Sequence, residues 1–70
     1  MALIHVRVIQ GVFTALQRRE IVERVTDAMV EIEGERMRRT VWCIVEEVVG
    51  DWGVGGHTLT ADDVNALARS

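Results

Sequence analysis

The 70-residue sequence predicts an α+β fold, a short β-α-β unit with two parallel strands and one long helix. Residues 2–9 alternate between an apolar face and a mixed face, as a half-buried strand does. Residues 40–48 form a second apolar segment of strand length, and the stretch between the two has helical periodicity. Two strands joined through a helix are expected to lie parallel, with a right-handed crossover.

The first strand has two distinct faces. Alternation places Ala2, Ile4, Val6 and Val8 on one face and Leu3, His5, Arg7 and Ile9 on the other. Six of these eight residues are aliphatic, and several are β-branched, which favours a strand over a helix. The pair Gln10-Gly11 is expected to end it.

A long amphipathic helix is predicted from about Ala15 to Ile32. Thr14 has the side chain of an N-cap residue, and Gly34 is a typical stop signal. The pair Glu20 and Arg24 has the spacing and order of a stabilising helical ion pair. The apolar side predicted to be buried consists of Leu16, Ile21, Val22, Val25, Ala28, Met29 and Ile32.

The second strand is predicted at residues 40–48. Its unbroken apolar centre indicates burial on both faces, and Cys43 within it is interpreted as a small buried hydrophobic residue. The segment before it, Glu35 to Arg39, is expected to be a charged connection that carries three arginines. These are Arg36, Arg38 and Arg39.

The last twenty residues predict smaller elements. Residues 49–56 contain four glycines and are expected to form a turn. Residues 57–59 are expected to add a short strand, for which pairing with another subunit is considered. A short helix is predicted over about residues 61–68, with Thr60 as its cap and Val64 and Leu67 as its apolar contacts.

Size and composition predict a single domain over residues 1–70 that assembles with other copies. Hydrophobic residues make up 49% of the chain, whereas a monomer this small buries only about 60% of its unfolded surface. A single cysteine rules out an internal disulfide as compensation. Shared apolar surface between copies is the remaining way to stabilise the fold, so an obligate oligomer is expected.

Charge and composition also disfavour several classes of partner. The net charge of −3 argues against nucleic acid, and the longest apolar run, residues 41–45, is too short to span a membrane. We see no signal peptide and expect a cytoplasmic protein. His5, His57 and Cys43 lack metal-ligand spacing, so neither a metal nor another cofactor is expected.

The order of elements, together with one turn, resembles the 4-oxalocrotonate tautomerase family of the tautomerase superfamily. The resemblance is carried by the terminal strand, by Gly11, by Thr14 opening the long helix, and by a second strand that ends in Glu46-Glu47-Val48. It is also carried by the turn Gly50-Asp51-Trp52-Gly53-Val54-Gly55-Gly56. The match covers roughly residues 2–60.

This resemblance implies both an assembly and a chemistry. Family protomers dimerise, and the dimers assemble into a hexamer, so a homo-hexamer is expected. The family's active site lies at the amino-terminal strand, where a terminal proline exposed by loss of methionine moves protons on a keto acid. Arginines bind carboxylates there, and an aromatic residue of the glycine-rich turn lines an apolar pocket.

Carried over to this sequence, the family pattern is kept only in part. The proline position is Ala2, the position after Gly11 that often holds a substrate arginine is Val12, and the second-strand arginine falls near Trp42. The turn aromatic is retained as Trp52. The resemblance therefore implies a pocket whose usual base and usual arginines are replaced.

Ala2 is nevertheless the candidate catalytic residue. If Met1 is removed, Ala2 offers a primary amine close to the place of the proline nitrogen, and such an amine can transfer protons near neutral pH. Arg7, Arg38 and Arg39 are the candidate carboxylate-binding residues, and Trp52 is the candidate pocket wall. The expected ligand is a small keto or enol acid.

Two other interpretations are carried forward. One is a catalytically silent hexameric scaffold, or a subunit of a mixed oligomer with a proline-bearing relative. The other is that Ala2 replaces an original proline by engineering. Both interpretations keep the predicted fold. They differ from the catalytic interpretation in the role that they give to Ala2 at the amino terminus.

Overall fold

The computed structural model describes residues 2–69, so Met1, whose removal bears on the expected chemistry, and Ser70 lie outside the described residues. Two strands, a helix and a short 3₁₀ helix are followed by a hairpin and a final helix. In chain order these are β1 (Ala2–Ile9), α1 (Ala15–Glu33), the 3₁₀ helix (Glu35–Thr40), β2 (Val41–Val48), β3 (Trp52–Val54), β4 (His57–Leu59) and α2 (Ala61–Arg69).

Strands β1 and β2 pair in parallel, which confirms the predicted β-α-β unit. Their register runs from Ala2 opposite Val41 to Ile9 opposite Val48. Both strands therefore begin at one edge of the sheet, here called the amino-terminal edge, and end at the other, the carboxyl-terminal edge. Helix α1 connects the two edges and returns the chain to the start of β2.

The predicted start and stop signals of α1 are confirmed. The Thr14 hydroxyl accepts a hydrogen bond from the Gln17 N–H at 3.1 Å, and the Gln17 side chain accepts one from the Thr14 N–H at 2.9 Å. This reciprocal arrangement satisfies two donors at the helix start. At the other end Gly34 has a φ of 102°, a conformation that side chains rarely adopt, and its N–H donates to the Val30 carbonyl at 2.7 Å.

Helix α1 covers one face of the β1–β2 sheet, but the predicted set of buried residues was partly wrong. Val30, absent from that set, is the most buried apolar side chain described, at 6% exposure, while Leu16 and Ile32 are 72% and 81% exposed. A sheet of two strands about 4.8 Å apart is narrower than the apolar side of α1, so residues at the edges of that side extend past the sheet. Ala28 is also exposed.

The opposite face of the sheet, here called the open face, is uncovered within this chain. It carries Leu3, His5, Arg7, Trp42, Ile44 and Glu46, all of them exposed. The prediction that β2 is buried on both faces was therefore wrong for the single chain, because the one long helix covers one face only. Alternate residues, including Cys43 on the covered face, are half-buried.

Two connections differ from the prediction. The charged segment before β2 is a 3₁₀ helix that includes Thr40, so the strand begins at Val41. Strand β4 pairs antiparallel with β3 of the same chain, with Trp52 opposite Leu59. Pairing of this segment with another subunit stays a prediction. The predicted turn, residues 49–56, therefore contains β3, the first strand of a hairpin. Gly55 and Gly56, both with positive φ, form the turn that joins β3 to β4.

Helix α2 was predicted almost to the residue. Thr60 accepts a hydrogen bond from the Asp63 N–H through its hydroxyl at 3.1 Å, and the Asp63 carboxylate accepts the Thr60 N–H at 2.8 Å. These bonds, above all the one from the Thr60 backbone, lower the pKa of Asp63. Among residues 2–69 no helix has both the length and the apolar character needed to cross a membrane.

Candidate functional site

The amino-terminal edge brings Ala2 next to the arginine-rich 3₁₀ helix. Ala2 is half-buried and pairs with Val41, the residue that directly follows the 3₁₀ helix. Parallel pairing is the cause, because it starts both strands at one edge. Any amine at the start of β1 therefore lies close to the cations that precede β2.

Arg38 is held by two carboxylates at this edge. Its Nε donates to Glu35 Oε1 at 2.7 Å, its Nη2 to Glu35 Oε2 at 3.3 Å and its Nη1 to Asp27 Oδ1 at 2.9 Å. The hydrogen bond from Arg38 lowers the pKa of Glu35, and the bonds to Glu35 and Asp27 raise the pKa of Arg38. Arg38 thus ties the 3₁₀ helix to α1.

Arg39 is placed differently from Arg38. It is exposed, and within residues 2–69 it forms neither an ion pair nor a side-chain hydrogen bond. It lies two residues before the partner of Ala2 in the sheet. Of the predicted carboxylate-binding arginines, Arg39 is the one that is both near Ala2 and available.

Arg7 lies on the open face, where it contacts Glu46. Its Nε is 3.2 Å from Glu46 Oε1, and the same oxygen is 3.1 Å from His5 Nε2. Arg7 is five residues along β1 from Ala2, about 16 Å in a strand, and it points to the opposite face. The structure therefore does not bring Arg7 and Ala2 together within one chain.

Trp52 lies beyond the carboxyl-terminal edge. Its indole Nε1 donates to the Val48 carbonyl at 3.4 Å, which anchors the ring against the end of β2. A cavity of about 270 Å³ lies between the strand ends and the β3–β4 hairpin, and its lining includes Asp51 and Thr58 but not Trp52. The half-buried Trp52 side chain is consistent with either packing or a pocket wall.

The predicted site residues are therefore divided between the two edges of the sheet. Ala2 and Ile9 are seven residues apart on β1, which corresponds to about 23 Å in a strand. Ala2, Arg38 and Arg39 lie at one edge, and Trp52 lies beyond the other. A site that includes both Ala2 and Trp52 requires a second copy of the chain.

Glu47 has a role that the sequence reasoning missed. Its Oε2 accepts the Gly11 N–H at 3.2 Å, and its Oε1 lies 3.3 Å from Arg18 Nη1, which also donates to the Phe13 carbonyl at 2.8 Å. These contacts fasten the β1–α1 turn to β2. The sequence did contain a signal for this role. Alternate residues of a strand share a face, so Glu47 was expected on the same, covered face as Val45.

No group of three or more His, Cys, Asp or Glu side chains among residues 2–69 is arranged to hold a metal ion. Cys43 is half-buried in β2 as a free cysteine.

Comparison with known proteins identifies related sequences. The sequence model of a family described as "Tautomerase enzyme" matches residues 3–62. The chain is also 30% identical, over 60 residues, to a protein of Dickeya dadantii (strain 3937) named "Probable tautomerase K2", and the aligned part covers 86% of this chain and 90% of that protein. No solved structure matches the chain significantly.

Proposed function

The chain belongs to the tautomerase family, and from that premise we propose that it is an isomerase that moves a proton between the keto and enol forms of a small keto acid. The observation that carries this proposal is the pairing of Ala2 with Val41, next to Arg39. A terminal amine and an available guanidinium then lie at one edge of the sheet, as proton transfer on an anionic substrate requires.

In this proposal the α-amino group of Ala2, freed by removal of Met1, is the proton carrier. The neutral amine accepts a proton from one position of the substrate and returns it to another, so the reaction changes neither the oxidation state nor the composition of the substrate. Half-burial at the start of β1 supports the role, because desolvation favours the neutral, basic form of an amine. A primary amine is less rigidly oriented than a proline ring, which predicts weak activity.

Arg7, Arg38 and Arg39 are the proposed carboxylate-binding residues, and their surroundings support them unequally. Arg39 is available beside Ala2, whereas Arg38 is engaged by Glu35 and Asp27. Arg7 is engaged by Glu46 and faces away from Ala2, so it would serve the site of another copy.

Trp52 is proposed as the apolar wall of a site completed by another copy. Its distance from Ala2 within one chain supports an assembled site, and the exposed open face supports assembly. We propose a homo-hexamer built from dimers, in which covering Leu3, Trp42 and Ile44 removes apolar surface from water. Cytoplasmic location is part of the same proposal.

The second candidate function is a catalytically silent scaffold, alone or in a mixed oligomer. It is favoured by the same open face, which needs a partner whether or not Ala2 reacts. The two functions share the assembly and differ at the terminus, where Ala2 occupies the position that the family resemblance assigns to proline.

A single set of assays separates these functions. Intact mass first establishes whether Met1 is present, and ketonisation of a phenylpyruvate-type enol is then measured for the chain and for an Ala2→Pro variant lacking Met1. We expect slow turnover by the chain and faster turnover by the variant, because proline presents a rigid secondary amine. A matched control with one extra residue ahead of Ala2 should be inactive, since its amine is displaced.

The outcomes distinguish the alternatives. Activity of the proline variant alone would identify the native terminus as the defect and favour the scaffold. If neither protein exceeds the buffer rate, the proposed isomerase activity is wrong. Light scattering at micromolar concentration tests assembly separately, and a clean monomer mass would contradict both functions.

A further inference from the structure

The 3₁₀ helix arranges its six residues on three separate faces. Because a 3₁₀ helix has three residues per turn, side chains at i and i+3 lie one above the other. Glu35 and Arg38 share one face, Arg36 and Arg39 the second, and Met37 and Thr40 the third. The arginines of this segment therefore belong to two different surfaces.

Two of the three faces are already occupied by contacts within the chain. Met37 and Thr40 are half-buried, and the Thr40 hydroxyl donates to the Met37 carbonyl at 2.7 Å. Arg38 and Glu35 pair with each other, and Arg38 also reaches Asp27 on α1. These contacts fix the rotation of the 3₁₀ helix, and the third face is therefore turned outward in a defined direction.

The remaining face consists of Arg36 and Arg39, both exposed. Within residues 2–69 neither guanidinium forms an ion pair or a hydrogen bond, although the chain carries 11 acidic residues and a net charge of −3. One turn of 3₁₀ helix separates the two Cα atoms along the axis by about 6 Å. Two guanidiniums at this spacing can converge on one anionic group.

The surface around this pair is concave and lies at the proposed reaction edge. A depression of about 320 Å³ lies between this face and the neighbouring one, because it is lined by Glu35 and Arg38 as well as by Arg36 and Arg39. The Glu35 carboxylate in it is paired with Arg38. Arg39 is two residues from Val41, which pairs with Ala2. An anion held between the two free arginines is thus brought to the edge at which β1 begins.

We propose that Arg36 and Arg39 together bind the carboxylate of the substrate. Arg38, one of the three arginines proposed above for that role, acts instead as a positioning residue that holds this pair in place. The inference rests on the proposed function for the identity of the anion, and it adds Arg36, which sequence reasoning had left out of the site. Paired contact by two arginines selects for a carboxylate over a neutral carbonyl compound, because both guanidiniums would otherwise lose water without gaining a partner.

The direct test measures binding rather than turnover, so it is independent of the activity of Ala2. Isothermal titration calorimetry compares phenylpyruvate with its uncharged methyl ester on the full chain. The acid should bind more tightly than the ester. Arg36→Gln and Arg39→Gln should each weaken binding of the acid by about three- to tenfold and leave binding of the ester unchanged.

Arg19→Gln is the matched control, since Arg19 is an exposed arginine of α1 and its replacement changes the net charge equally. If Arg19→Gln weakens acid binding as much as Arg36→Gln, the effect is long-range charge and the proposal is wrong. Equal affinity of the chain for acid and ester would also overturn it. Arg36→Lys should recover only part of the affinity, because lysine keeps the charge and loses the planar pair of donors.

Arg38→Gln tests the positioning role with a different readout. Loss of the contacts to Glu35 and Asp27 should weaken acid binding and also increase amide hydrogen exchange across residues 35–40, whereas Arg39→Gln should change binding alone. If Arg38→Gln abolishes acid binding while exchange is unchanged, Arg38 binds the carboxylate itself and the assignment is overturned. Enol turnover by these variants then reports on the proposed function separately.

Discussion

The two faces of the β1–β2 sheet both carry large apolar side chains but have opposite surroundings. The covered face packs against α1 and carries half-buried residues such as Ile4 and Val45. The open face exposes Leu3, Trp42 and Ile44. Since one helix can cover only one side of a sheet, the difference shows that the fold of a single chain leaves half of its sheet without a partner.

The polar groups of the two faces differ as well. The covered face contains Glu47, whose contacts to Gly11 and Arg18 hold the β1–α1 turn. The open face contains Glu46, which joins His5 and Arg7 across the strands. Adjacent glutamates thus serve two purposes, because alternate residues of a strand point to opposite faces. One supports the protomer, and the other lies on the surface where we place the partner copies.

The largest expected effect comes from placing a charge on the open face. Ile44→Asp should dissociate the proposed assembly, because burying an unpaired carboxylate costs several kcal/mol and each 1.4 kcal/mol corresponds to about tenfold in association. We expect the association constant to fall by at least about a hundredfold. Analytical ultracentrifugation over a dilution series measures the change.

Leu16→Asp provides the control for this comparison, since Leu16 is also an exposed aliphatic residue, at 72% against 47% for Ile44, but lies on α1. It should leave the sedimentation profile unchanged. An Ile44→Asp variant with the native mass at low concentration would show that the open face is not an interface.

The second prediction concerns the covered face. Val30→Ala should lower the free energy of unfolding by about 1–3 kcal/mol, because it removes two methyl groups from the most buried side chain described. Ile32→Ala, two residues along the same helix and 81% exposed, should change it by less than about 0.5 kcal/mol. Urea denaturation at one fixed protein concentration compares the two, since assembly links stability to concentration.

Equal losses for the two variants would have a specific meaning. They would indicate that Ile32 is covered by another copy, and the interface would then extend from the sheet to the flank of α1. Ile32 would then be counted among the residues covered by another copy and not among the exposed ones.

Local signals in the sequence were sufficient for the two long strands and both α-helices, but not for the 3₁₀ helix or for β3. Thr14 and Gly34 act through bonds to the neighbouring turn, so their effect can be read without knowledge of tertiary structure. The rotation of α1 could not be read in this way. The apolar side of α1 is wider than the two-stranded sheet on which it packs. Which of its residues are buried, such as Val30, and which are exposed, such as Leu16, therefore depends on the width and position of that sheet.

The candidate site was less accessible to prediction, for two physical reasons. Arg36, Arg38 and Arg39 look alike in a charged segment, and their separation depends on a three-residue period that the sequence did not reveal. Trp52 and Ala2 are both implied by family resemblance, but parallel pairing separates them by the length of the sheet. Which copy supplies which residue depends on contacts between chains, and no pattern within one chain encodes their geometry.

The smallest expected effect comes from the two adjacent glutamates, and it sharpens the comparison of the faces most directly. Glu47→Gln should reduce the free energy of unfolding by about 1–2 kcal/mol, because it weakens charge-assisted bonds to the Gly11 N–H and Arg18. Glu46→Gln should cost less than about 0.5 kcal/mol if its ion pairs remain in water. Both variants keep side-chain size and remove one negative charge, so each controls for the other.

The Glu46→Gln substitution is also measured in the Ile44→Asp background. A stability cost that appears in the assembled protein and disappears in this background would show that assembly buries the His5–Glu46–Arg7 group. Equal small costs in both backgrounds would place that group at the rim of the interface or outside it.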